Sequence, residues 1–170
     1  MKRSTSITAL AFSTAALVGL TAMPSYGNAI VNGGFESGTG TNADNWNQLE
    51  IAGPPSTANT DRDTTMPNNG SAAMFLEVNG QDTGGGPVSE IQQQTLVGSI
   101  TAGSIYDFSF FSKGFAGPGT VPFYEVLWFD GDGSNGGGPQ GSATGLQNFS
   151  LGANYSSNSA TSLLAPGGAD

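Results

Sequence analysis

Apolar and polar residues alternate with a period of two in several short stretches, and clusters of Gly, Asn, Asp and Pro separate them. The clearest stretch is 106–110, where three aromatic residues share one face of a predicted strand. Residues 71–78 repeat the pattern, and 122–129 predict a third strong strand. Residues 90–100 predict one or two weaker strands. This periodicity is typical of an all-β protein.

Helical periodicity is missing from the sequence, because Gly and Pro interrupt every long window. Long polar segments at 53–70, 79–87, 114–120 and 131–142 predict loops. The 27 Gly and 9 Pro residues also fit a low-complexity chain, but the alternating strands argue against disorder. We therefore expect an all-β fold, a jelly-roll β-sandwich whose strands cross between two sheets.

The first strand-like region carries the most informative motif. An apolar pair at 30–31 predicts a strand, and Asn-Gly-Gly at 32–34 predicts a glycine turn that allows positive φ. Phe35 and Trp46 are expected to be buried anchors. Glu36 follows the anchored Phe35, so its carboxylate should lie close to the backbone of a glycine loop. Such a position suits a calcium ligand.

Residues 1–27 have the composition of a secretory signal peptide. Two basic residues precede an apolar segment at 7–20, and Ser25-Tyr26-Gly27 then offers small residues at the two positions that a signal peptidase reads. A transmembrane anchor is the less favoured alternative, because the apolar segment is shorter than the roughly 20 residues a spanning helix needs. We expect residues 28–170 to form one mature domain that is secreted, extracellular or at the cell surface, without membrane insertion after cleavage.

Composition removes several classes of function. None of the 170 residues is Cys or His, which excludes zinc fingers, Ser-His-Asp sets and disulfides and leaves oxygen ligands for a hard cation such as calcium. Cleavage would leave Arg62 and Lys113 against all 13 carboxylates, a formal charge of −11. Such a surface repels phosphate, so we expect no nucleic-acid partner. We also expect a monomeric module.

The motif Asn-Gly-Gly-Phe-Glu at 32–36, with Trp46 after it, resembles carbohydrate-binding modules of families four and nine, which are galactose-binding-like jelly rolls. Stretches at 70–76, 93–110 and 124–133 resemble later strands of that family. The resemblance implies a non-catalytic module that binds a polysaccharide or glycan. It also implies attachment to a longer glycoside hydrolase or surface protein.

Sugar binding by such a module uses aromatic stacking and polar contacts. We expect Tyr124 and Trp128 to be exposed for stacking, with Gln92, Gln94 and Glu77 as hydrogen-bonding partners. For each of these five residues the alternative is a core or ordinary surface position. In the strand at 122–129, apolar residues lie on both faces, so either face could be the core. Three further aromatic residues are weaker candidates: Trp46, Phe75 and Phe111.

The resemblance also implies a structural calcium site that Glu36 shares with an aspartate on a final strand. Residues 161–170 look like the approach to that strand, so we expect a domain that lacks its last strand or two. For Glu36 the alternatives are a solvated turn residue or a carboxylate that binds backbone amides. The acidic glycine loop at 130–136 predicts a hairpin better than a calcium loop, because Asn135 stands where that loop needs Gly.

Two classes of function compete with sugar binding. A glycosidase needs a pair of carboxylates in a cleft, and no local Glu-x-Asp-x-Glu set occurs, so we expect no catalysis from this domain. The other alternative is a structural or matrix module of an exported surface protein that binds no sugar. Exposed aromatic residues clustered on a concave sheet would favour binding, and aromatic residues that are all buried would favour the structural module.

Overall fold

The computed structural model describes residues 28–80, 86–95, 98–130 and 138–169. All regular secondary structure in these ranges is β, and they contain no helix that could cross a membrane. The predicted all-β class is confirmed, and the arrangement is compatible with a β-sandwich. The predicted signal peptide lies outside the described residues.

Twelve strands follow one another in the described residues. They are β1 (Gly38–Thr39), β2 (Asn42–Ala43), β3 (Asn47–Ile51), β4 (Thr57–Asp63), β5 (Ala73–Asn79), β6 (Val88–Gln92), β7 (Ile105–Ser112), β8 (Phe123–Tyr124), β9 (Leu127–Phe129), β10 (Pro139–Ser142), β11 (Gln147–Asn148) and β12 (Ser156–Leu164). They form six antiparallel two-stranded ladders: β1–β2, β3–β6, β4–β5, β7–β12, β8–β11 and β9–β10. The N-terminal half thus holds β1–β6, and the C-terminal half holds β7–β12.

A buried threonine lies at the centre of the N-terminal half. Thr60 of β4 is 1% exposed, and its hydroxyl donates to the Leu49 carbonyl at 3.1 Å. The same hydroxyl lies 2.7 Å from the Ser89 hydroxyl, and the Thr60 amide donates to the Glu50 carboxylate at 2.6 Å. The Gln48 side-chain amide donates to the Thr60 carbonyl. Hydrogen bonds therefore join the β3–β6 and β4–β5 ladders.

Aromatic side chains fill the C-terminal half. Tyr106, Phe108 and Phe110 of β7 are half-buried and alternate with exposed residues, as the periodicity predicts. The Trp128 ring lies 5.9 Å from that of Tyr106, and the Tyr124 ring lies 5.6 Å from that of Phe108. Stacking and burial of these rings hold β8 and β9 against β7.

Two predicted loops contain strands. β4 lies within 53–70, and β10 lies within 131–142. β4 has the sequence Thr-Ala-Asn-Thr-Asp-Arg-Asp, and its inner face is built on hydrogen-bonded Thr60, not on aliphatic side chains. Hydrophobic alternation cannot detect such a strand. β9 and β10 pair antiparallel on either side of the predicted glycine hairpin, and residues 131–137 between them lie outside the described residues.

Three other predicted segments differ from the strands in the structure. The predicted strand at 30–31 is wrong, because the amide and carbonyl of Val31 both bond to the Gln93 side chain at 2.7 Å, where a paired strand would otherwise lie. The predicted strand at 122–129 is divided into β8 and β9. The region at 161–170, expected only to approach a strand, begins inside β12, which pairs with β7.

The core position of Trp128 gives a direct test of this packing. Its side chain is 8% exposed, so Trp128→Ala should destabilise the protein by about 3–5 kcal/mol, the cost of removing a buried aromatic ring. Phe115 is 85% exposed, and Phe115→Ala should change stability by no more than about 0.5 kcal/mol. Urea unfolding measures both, and equal effects would contradict the described core.

Candidate functional site

Asn32 organises the loop that holds the Asn-Gly-Gly-Phe-Glu motif. Its side-chain amide donates to the carbonyls of Ser37 at 2.8 Å and Asp44 at 2.9 Å, and its oxygen accepts from the Ser37 amide at 3.0 Å. The Asn32 carbonyl accepts from the Trp46 indole at 2.9 Å. The Trp46 ring also lies 5.0 Å from the Phe35 ring, so Trp46 anchors the loop, although both rings stay half-buried.

In this turn the residues with positive φ are not the glycines at 33–34 but the residues on either side of them. Asn32 has φ 51° and Phe35 has φ 60°, a left-handed conformation that a bulky residue adopts at a cost. Arg62 of β4 holds it there, since Nε donates to the Phe35 carbonyl at 2.7 Å and Nη2 donates to the Glu36 carbonyl at 3.0 Å. The first loop is therefore tied to β4.

The Glu36 carboxylate ties the same loop to the start of β5. Both of its oxygens accept from the Ser71 amide at 3.0 Å, and Oε2 accepts from the Ser71 hydroxyl at 2.7 Å. The Ala72 amide adds a longer bond of 3.4 Å. The Ser71 hydroxyl, then the backbone amides and the charge of Arg62, lower the pKa of Glu36. We call Glu36, Ser71, Ala72 and Arg62 the Glu36 clamp.

The donor set around Glu36 does not fit calcium. Calcium takes six to eight oxygen ligands, commonly from several carboxylates. N–H and O–H donors engage both Glu36 oxygens, and Gly70 packs so closely on the carboxylate that a Cβ there would clash. In the ranges that the structure describes, no three acidic side chains gather as a metal-binding group. The alternative of a carboxylate that binds backbone amides describes Glu36 better.

The expected stacking platform is wrong for Trp128 and is not formed by Tyr124. Trp128 belongs to the buried core with Leu163, because β9 turns its ring inward against β7. Tyr124 is half-buried, its ring lies 5.3 Å from that of Phe110, and its hydroxyl donates to the Ser159 carbonyl at 3.2 Å. The Trp128 ring is therefore closed to a sugar, and the Tyr124 ring packs among other aromatic rings.

The expected polar partners lie in the other half of the chain. Gln92 is exposed at the end of β6, where its side-chain amide donates to the Glu90 carboxylate at 2.8 Å. Gln94 is exposed two residues later. β6 pairs with β3, whereas Tyr124 and Trp128 lie on β8 and β9. The structure does not bring these candidates together.

One surface joins two of the predicted candidates. Glu77 and Phe75 of β5 lie opposite Asn59 and Asp61 of β4, so the four side chains share one side of the ladder. The Asn59 side-chain amide donates to the Glu77 carboxylate at 3.3 Å, and Phe75 is 39% exposed. We call these four residues the β4–β5 face. The sequence did not identify Asn59 and Asp61 as candidates, because they lie in the segment at 53–70 that was predicted to be a loop.

A shallow depression of about 320 Å³ lies at the Phe75 end of this face. Its lining residues are Thr41, Asp61, Arg62, Asp63, Thr64, Met66 and Phe75. The C-terminal half secures one wall of it, since the Tyr155 hydroxyl donates to the Met66 carbonyl at 2.6 Å. Lys113 lies over the Tyr155 ring, 4.6 Å from its centre. The Glu36 clamp and Tyr155 thus position the face from two sides.

No protein-family model matches this chain, and neither a curated protein nor a solved structure is detectably similar to it. Its function is therefore inferred from the residues and geometry described above.

The clamp gives a pH-dependent prediction. Because the pKa of Glu36 in the folded protein lies below 4.5, its charge stabilises the fold at pH 7, and that stabilisation is lost as the pH falls through the lowered pKa. Glu36→Gln should therefore lower the thermal midpoint at pH 7, with the difference from the native chain narrowing below pH 4.5. Glu125→Gln, at an exposed carboxylate, is the control. A difference that is independent of pH would contradict the clamp.

Proposed function

We propose that the chain is a secreted, non-catalytic carbohydrate-binding β-sandwich module whose ligand lies along the β4–β5 face. The observation that carries the proposal is an exposed Phe75 ring beside Asp61, with Asn59 and Glu77 one step along the same ladder. The C–H groups of a pyranose ring pack on an aromatic face, and amides and carboxylates bind its hydroxyls. The β4–β5 face offers both kinds of contact.

The charge of the face selects the class of glycan. Asp61 and Glu77 are acceptors when ionised, so they suit the hydroxyl donors of a neutral sugar. Asp63 adds a third carboxylate at the edge of the same depression. Arg62 also lines this depression, but the three carboxylates outnumber it, so a polymer of uronic acids would meet net like charge here. The mature chain as a whole is also strongly acidic. The ligand is therefore a neutral polysaccharide or glycan.

The shape of the face suits binding better than cleavage. The depression is open and shallow, so a polymer chain can lie across it without threading into a cleft. A glycosidase encloses its scissile bond between two carboxylates and holds an attacking water there. An open polar face beside one aromatic ring supplies contact and orientation without excluding water.

A structural module without sugar binding is the second candidate. The buried Trp128 and the half-buried Tyr124 favour it, because neither is exposed as a stacking residue is expected to be. Binding at the β4–β5 face therefore depends on Phe75 as its aromatic contact.

Affinity gel electrophoresis of residues 28–170 tests the proposal. At least one neutral polymer among β-glucan, xylan, galactan and chitin should retard the chain. Phe75→Ala should weaken that binding about tenfold or more, as expected for truncating a central aromatic contact. Phe111→Ala is the matched control, because Phe111 is 59% exposed on β7, a strand of the other half of the chain.

The result separates the two candidates. Retardation that Phe75→Ala removes and Phe111→Ala preserves supports binding at the β4–β5 face. Retardation that survives Phe75→Ala places the ligand on another surface and contradicts the assigned site. A chain that no polymer retards is the structural module.

A further inference from the structure

Three Asn-Gly pairs lie in the described residues, beginning at Asn32, Asn69 and Asn79. Such a pair is chemically unstable when the glycine nitrogen can reach the side-chain carbon of the asparagine, since glycine has no Cβ to obstruct the approach. The three pairs share one sequence but have different surroundings. Structure therefore decides which of them reacts.

Asn69 has the reactive arrangement. The Gly70 amide donates to the Asn69 side-chain oxygen at 2.9 Å, so the glycine nitrogen already lies against the amide group it would attack. Both residues are exposed, in the irregular segment between β4 and β5. The pair is open to solvent and free of ladder pairing.

The other two pairs are restrained. The Asn32 side chain is held away by bonds to the carbonyls of Ser37 and Asp44, and its oxygen accepts from the Ser37 amide. Asn79 ends β5 and is paired with Thr57, so closing a ring through its backbone would disrupt the ladder. Each would have to break structure before it could react.

We propose that Asn69 is a site of spontaneous deamidation. The Gly70 nitrogen loses its proton to a base and attacks Asn69 Cγ, the bond from Cγ to Nδ2 breaks, and ammonia leaves. The product is a five-membered succinimide. Water then opens either of the two carbonyl bonds to the imide nitrogen and gives an aspartyl or an isoaspartyl residue. No oxidant, reductant or enzyme is required.

This modification acts on the Glu36 clamp. Gly70 directly precedes Ser71 and Ala72, the donors to the Glu36 carboxylate, and it packs tightly against that carboxylate. An isoaspartyl linkage adds a carbon to the main chain, and either product places a new negative charge close to Glu36. Deamidation therefore loosens the clamp and the start of β5.

Peptide mapping by mass spectrometry after incubation at mildly alkaline pH tests the site. Asn69 should convert several-fold faster than Asn32 or Asn79, and its rate should rise with pH because the attacking nitrogen must be deprotonated. Asn69→Gln should abolish the conversion at this position, since the longer side chain closes a less favourable ring. An intact Asn69, or one that Asn32 or Asn79 matches in rate, would overturn the proposal.

Thermal unfolding of fresh and aged protein tests the consequence. The midpoint should fall on ageing in the native chain and stay constant in Asn69→Gln. In Glu36→Gln, where the carboxylate is already removed, the fall should be smaller. An equal fall in Asn69→Gln would mean that modification elsewhere causes it, and an equal fall in Glu36→Gln would separate Asn69 from the clamp.

Discussion

Glu36 joins three segments that are distant in sequence. Its carboxylate accepts from Ser71 and Ala72, just before β5, and its backbone carbonyl accepts from Arg62 of β4. One residue thereby ties the first loop to both strands of the β4–β5 ladder at the same end. The side chains proposed to contact a glycan are carried on that ladder, so their spacing depends on this clamp.

The two halves of the chain reach stability by different means. The C-terminal half packs aromatic rings, with Trp128 and Leu163 at its centre. The N-terminal half surrounds Thr60 with hydrogen bonds, which are individually modest but expensive to leave unmade once buried. A half held by polar contacts needs its side chains in register. The clamp and the side-chain bond from Gln93 to Val31 provide that register.

The sequence was informative where burial follows a simple period. The alternation in β7 identified its inward aromatic side, and the Asn-Gly-Gly-Phe-Glu motif marked the loop on which the clamp is built. It could not reveal β4, because the inner residue of that strand is a threonine. Apolar residues on both sides of β9 left the direction of Trp128 open. The role of Glu36 depends on donors 35 and 36 residues away, which no local pattern contains.

An NMR titration of the Ser71 amide proton tests the clamp most directly, because that amide donates a hydrogen bond to the Glu36 carboxylate. Its chemical shift should follow the ionisation of Glu36 with a midpoint below 4.5, and the transition should vanish in Glu36→Gln. A midpoint at or above 4.5, or a transition that persists in Glu36→Gln, would contradict a carboxylate held by Ser71.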